Sequence, residues 1–157
     1  MKGNEALIQK LNDLLARELT AINQYVVEAE LHENWGYEKL HGLERKRSIV
    51  EMKHAERLIE RIVFLDGHPI VSRLEDIRIG QDVPAIVESD LNLELDAVRR
   101  YNEAIKLAVD VADNSTRDLL QGILDDEIDH VDELETQRDQ IAQMGLQNFL
   151  TTVTAKE

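Results

Sequence analysis

One short word occurs twice in this chain, as Glu51-Met52-Lys53-His54 and as Glu127-Ile128-Asp129-His130. Each copy is Glu-x-x-His, and each has an isolated glutamate 33 residues upstream, Glu18 and Glu94. Every member of the first set lies 76 residues before its counterpart in the second. Residues i and i+3 of a helix share a face, so each word offers one carboxylate and one imidazole to a common point. Four carboxylates and two imidazoles suit a pair of first-row metal ions. This mix of oxygen and nitrogen donors favours iron or manganese over a closed structural zinc site. The repeat continues outside the words: Leu15 matches Leu91, Leu19 matches Leu95, Ala21 matches Ala97, Tyr25 matches Tyr101, Leu43 matches Leu119 and Leu58 matches Leu134. The pattern reads as a duplicated helical hairpin.

The chain is long enough, at 157 residues, for one domain with a real core, so residues 1–157 are expected to form a single unit. Only two prolines and seven glycines leave long stretches uninterrupted, and the absence of cysteine excludes disulfides and thiolate metal sites. No apolar run approaches the ~18 residues that span a bilayer. The opening MKGNEALIQKLNDLL reads as the start of a helix, without an apolar signal core, so a cytoplasmic protein without a membrane role is expected. The net charge of −14 argues against nucleic-acid binding and for attraction of cations.

Periodicity predicts four long helices and one short one. The first runs from about Glu5 to Glu33, marked by Leu7, Leu11, Leu14, Leu15, Ile22 and Val26. Asn34-Trp35-Gly36 turns into a second that ends near Leu65, where Asp66-Gly67-His68-Pro69 stops it. Residues 66–82 lack helical periodicity and are too many for a tight turn. A segment of that length can run back along a bundle and make the next helix parallel to the last. Asp82 is a good N-cap with Pro84 in the first turn of the third helix, which reaches about Ala112. Asp113-Asn114-Ser115 leads into a fourth ending near Gly145, and Leu146 to about Thr154 forms a short fifth. Glu18, Glu51 with His54, Glu94, and Glu127 with His130 then fall near the middle of four different helices. Mid-helix carboxylates facing a core are costly unless neutralised, and two divalent cations supply the neutralisation. Leu15, Leu19 and Ile22 around Glu18, and Leu91 and Leu95 around Glu94, support the inward orientation.

The ligand pattern is that of ferritin-like di-metal carboxylate bundles, and the whole chain resembles the bacterioferritin family. The strings that carry the likeness are ELTAINQY at 18–25, NWG at 34–36, EMKHAERLIERIVFLDG at 51–67, IGQDV at 79–83, SDLNLELDA at 89–97 and MGLQNFL at 144–150. The resemblance implies an all-α, ferritin-like four-helix bundle with a long crossover between helices two and three. It implies a shell of twenty-four subunits built from two-fold dimers, iron storage, and a di-iron ferroxidase centre that oxidises Fe(II) with dioxygen or peroxide. By the same likeness Glu18, Glu51, His54, Glu94, Glu127 and His130 are the ligands, Glu51 and Glu127 bridging and Glu18 and Glu94 terminal. Tyr25 and Tyr101 each lie seven residues after a terminal glutamate, and could pass an electron or hydrogen-bond a ligand.

The family adds a haem b at a two-fold interface, held by a methionine from each subunit. Met52 matches that position and lies about 100° around the helix from Glu51, away from the metal centre. Ile22, Asn23, Val26 and Ile49 are candidates to line the haem pocket. A small [2Fe–2S] ferredoxin is the electron donor for iron release that the likeness implies. The chain departs from the family at Lys46 and Val50, where histidine and aspartate are common on the inner surface, with Arg47 beside them. That departure counts against an iron site on the cavity wall. Asp126, before Glu127, can orient a histidine through its second ring nitrogen, whereas its counterpart Val50 cannot. The rival readings are a ferritin-like oxidase or peroxidase that forms no cage, and a metal-free structural bundle.

Overall fold

The computed structural model describes residues 1–155. Five helices follow in order: α1 (Glu5–Asn34), α2 (Glu38–Phe64), α3 (Val83–Asp110), α4 (Asn114–Met144) and α5 (Leu146–Thr151). Three of the four long helices start on a side-chain cap: Asn4 accepts from Leu7 N–H, Asp82 from Ala85 N–H and Asp113 from Thr116 N–H. The expected boundaries shift slightly. Helix α4 begins at Asn114 because Asp113 alone is its cap, and α3 stops at Asp110 because the chain turns to positive φ at Ala112. Helix α5 ends at Thr151, short of Thr154, in turns closed by Thr152 N–H to Phe149 O and Val153 N–H to Leu150 O.

Helices α1 and α2 form one hairpin and α3 and α4 the other. Between them, residues 65–82 run along α1 without regular structure. Asn12 bonds the backbone of His68 and Ile70, Thr20 accepts from Glu75 N–H, and Gln24 accepts from Arg78 N–H. The crossover therefore climbs parallel to α1 and delivers α3 antiparallel to α1 and parallel to α2. At its end Gly80 passes so close to α3 that a Cβ would sit 2.3 Å from Ile86 N, which is why a side chain has no room there.

The core divides in two. One end is a continuous apolar cluster that includes Leu7, Leu11, Leu14, Leu58, Leu120 and Ile123. At the other, Phe149 of α5 packs on Leu40, Val83, Val87, Leu91 and Leu134, and Lys39 N–H bonds Val153 O. The tail string MGLQNFL thus closes the end of the bundle where α2 and α3 begin. No described helix is long and apolar enough to cross a membrane.

Candidate metal centre

All six predicted residues meet at mid-bundle. Glu18, Glu51, Glu94 and Glu127 are fully buried, and His54 and His130 nearly so. They form two constellations able to hold an ion, Glu18–Glu51–His54–Glu127 and Glu51–Glu94–Glu127–His130, which share Glu51 and Glu127. Each histidine turns Nδ1 inward: His54 Nδ1 lies 3.1 Å from Glu51 and 3.2 Å from Glu127, and His130 Nδ1 lies 3.2 Å from Glu51 and 3.5 Å from Glu94. Oε1 of Glu51, Oε1 of Glu127 and Nδ1 of His130 are buried without a hydrogen-bond partner, whereas Oε2 of Glu94 and Oε2 of Glu127 have only the charge of Arg17 beside them. Orphaned buried donor atoms of this kind are costly unless something binds them, so the residues fit a pair of iron ions.

The tyrosines are bonded crosswise. Tyr25 of α1 donates to Glu94 of α3, and Tyr101 of α3 donates to Glu18 of α1. Spacing within one helix had paired each tyrosine with the glutamate of its own repeat; the antiparallel packing of α1 on α3 instead gives each to the other repeat. Burial, and then the neighbouring glutamate, pushes both phenols well above their ordinary range. The second nitrogen of His54 meets Asp126 at 2.8 Å. Val50 and His130 share the wall of an open cavity of about 370 Å³ between α2 and α4, and the valine offers the ring no acceptor.

Arg17 was not singled out by the sequence reading, yet it lies at the heart of the site. Its side chain is fully buried, with Nη1 at 2.7 Å from Glu127, 3.2 Å from Glu51 and 3.3 Å from Glu18, and Nη2 at 3.3 Å from Glu94. Nη2 also bonds Leu93 O, the residue 76 positions on, so Arg17 sits on the internal two-fold relation. The signal was present: Arg17 is three residues after Leu14 and four before Ala21, both fully buried, which puts it on the inner stripe of α1.

The site balances its charges internally. Burial opposes the charge of Arg17, but Glu127, Glu94, Glu51 and Glu18 outweigh it and hold the guanidinium ionised. Burial would raise Glu18, but Arg17 and hydrogen bonds with Glu51 and His54 bring it down to about 2. Glu94 is likewise held well below its usual range, by Arg17 and His130 against burial. The shared pair goes the other way. Burial and the charges of Glu18 and Glu94 push Glu51 up, and burial and Glu94 push Glu127 up. Burial would lower His54, but bonds with Glu127, Glu18 and Glu51 raise it.

Some expectations fail locally. Leu95 does not flank the site; it is 47% exposed, whereas Leu91 is buried. Arg47 is not a surface residue beside Lys46. It is buried, 3.3 Å from Glu44 and 3.7 Å from Asp90, with its guanidinium over the Tyr25 ring at 5.4 Å. It belongs to a second polar group, Glu28, Glu44 and Asp90, which the sequence reading passed over. Asp90 accepts from Gln24 at 3.0 Å, and neither oxygen of Glu28 has a hydrogen-bond partner. The 76-residue counterparts of Glu28, Glu44, Arg47 and Asp90 are Ala104, Leu120, Ile123 and Leu14, all fully buried. One end of the repeat is apolar where the other is ionisable.

Two antiparallel hairpins of long helices, a long crossover and a buried carboxylate–histidine cluster define the ferritin-like class. The Ferritin family model, described as a ferritin-like domain, matches residues 8–144. The chain is 41% identical over 149 residues to the bacterioferritin of Brucella melitensis, covering 95% of this chain and 92% of that one. It is 42% identical over 149 residues to that of Rhodobacter capsulatus, with the same coverage, and 40% over 153 residues to that of Streptomyces coelicolor, covering 98% and 92%. This chain belongs to the bacterioferritin family. Iron storage is the function that this membership and the buried clusters support.

Proposed function

We propose that the protein is a ferroxidase that stores the iron it oxidises, acting as a single ferritin-like domain within a cytoplasmic homo-oligomeric shell of twenty-four copies. The observation that carries the reading is the pair of buried constellations with Glu51 and Glu127 in common. Shared carboxylates are what two adjacent ions require. On this reading Glu51 and Glu127 would be shared by both ions, Glu18 with His54 would complete one position, and Glu94 with His130 would complete the other. Iron held by these residues would supply the electrons that reduce dioxygen or peroxide. The protein's own part is to gather the ligands, keep them out of bulk water and fix their orientation. Tyr25 and Tyr101 hold Glu94 and Glu18 in place, and Asp126 fixes the ring of His54.

Met52 would hold a haem b together with the same residue of a second copy. It is 45% exposed on the far side of α2 from the cluster, with Ile49 also exposed one turn away, an apolar surface suited to a shared flat group. A small [2Fe–2S] ferredoxin would then reduce the stored iron for release.

The test is anaerobic Fe(II) titration followed by exposure to oxygen, with size measured on the same preparation. The wild type is expected to bind two ions per chain tightly and to show a fast oxidation phase. Glu94→Ala should lose that phase while keeping its helical content, and an unchanged rate in this variant would refute the assignment.

A further inference from the structure

The guanidinium of Arg17 and a metal pair compete for the same oxygens. Nη1 lies 2.7–3.3 Å from the Oε2 atoms of Glu127, Glu51 and Glu18, and Nη2 lies 3.3 Å from that of Glu94. These are the four carboxylates of the two constellations. Carboxylate oxygens approach a first-row ion to about 2.0–2.2 Å, so ions bound by these atoms would occupy the space that the guanidinium now fills. A buried cation at that distance would also repel them strongly, since the fully buried site offers little water to screen the charges.

The fold provides somewhere else for the side chain to go. Nη2 already bonds Leu93 O on the α1/α3 side of the cluster. Leu93 also lines a cavity of about 480 Å³ on that side, whose walls carry Glu75, Asp76 and Asp96 against Arg78, with Arg100 paired to Glu75 at 2.8 Å and to Asp96 at 3.5 Å, which leaves one carboxylate in excess. The opposite side, between α2 and α4, is where His54 and His130 line an open cavity. Arg17 therefore stands between the carboxylates and an acidic depression, and Nε has no partner to anchor it where it is.

We propose that Arg17 is a displaceable counter-cation: it occupies the carboxylate cluster in the metal-free protein, and metal loading expels it toward the acidic depression beyond Leu93. The proposal rests on the di-metal reading of the site. Its consequence is that binding of the ions is an exchange of cations. The arginine keeps the metal-free bundle from collapsing under four buried carboxylates, and in return weakens the hold on the incoming metal.

The probe is Co²⁺ alone, titrated into metal-free protein and followed by its visible absorption, with thermal melting of the metal-free protein measured in parallel. Arg17→Leu and Arg17→Gln remove the charge; Arg17→Lys keeps it. The neutral variants should bind Co²⁺ on the order of tenfold tighter or more, and their metal-free forms should melt below the wild type. Arg17→Lys should stay near wild type in both. If the leucine variant does not fold, the glutamine variant carries the comparison. Wild-type or weaker Co²⁺ affinity in the neutral variants would overturn the proposal while leaving the metal centre intact. A wild type that binds no Co²⁺ would overturn both. A Zn²⁺-loaded crystal structure with the guanidinium still among the four carboxylates would also refute the displacement.

Discussion

Replacing Glu28 with glutamine should flatten the pH dependence of stability in the metal-free protein. Glu28 is fully buried, and burial above all lifts its carboxyl to about 8. In the unfolded chain it titrates near 4.3. Between those values the native state holds a proton that the unfolded state has released, so the stabilisation is lost as pH rises through 8. His32 has the opposite sign. Burial and Arg47 lower it to about 4, so its contribution is present above the ordinary histidine range near 6.5 and fades as pH falls toward 4. Measurements from pH 6.5 to 8 thus isolate the carboxyl from the imidazole. Each unit of pH changes stability by at most about 1.4 kcal/mol for one proton, and integration over this window gives on the order of 2 kcal/mol. Burial raises Asp90 and Glu44 as well, and Asp90 is raised further by Glu28 itself, so the difference between the two proteins reports Glu28 together with the neighbours it perturbs. The assay is urea unfolding at fixed protein concentration, since assembly couples to folding. The wild type should lose on the order of 2 kcal/mol more than Glu28→Gln across the window. Parallel curves would show that the carboxyl is not held protonated in the native state.

Met52→Leu should abolish a bis-methionine haem spectrum and leave Fe(II) oxidation intact; a persisting spectrum would sink the haem assignment. The missing acceptor at Val50 should make His130 the more mobile ligand and its ion the more easily lost, which partial iron loading and refined occupancies would reveal. Equal occupancy with both histidines in single rotamers would contradict this, whereas Val50→Asp should order His130 if the account is right.

The repeated words and the helix caps were legible because both depend on spacing along one helix. Glu-x-x-His fixes two ligands to one face, and Asp82 before Pro84 fixes a helix start, whatever lies elsewhere in the chain. The long crossover was legible as an absence of periodicity. What escaped was whatever depends on how helices pair. The exchange of tyrosines between repeats follows from α1 lying antiparallel to α3. The burial of Arg47 follows from its facing Glu44, Asp90 and Tyr25 across three helices. Arg17 was hidden for a chemical reason: a charged residue beside a glutamate reads as solvated surface, although its place between Leu14 and Ala21 marks the inner face.

The crossed bonds of Tyr25 and Tyr101 mean that neither hairpin owns a finished site. Each ion position draws a carboxylate from the other half, so a free-standing hairpin could bind metal only by pairing with its twin. Two identical hairpins would be condemned to identical ends, because any change in one would appear in both. Joining them in one polypeptide lifts that constraint. Leu14 is apolar where its counterpart is Asp90, and Val50 offers no acceptor where Asp126 does. The long crossover between α2 and α3 is what lets one polypeptide carry two unlike halves.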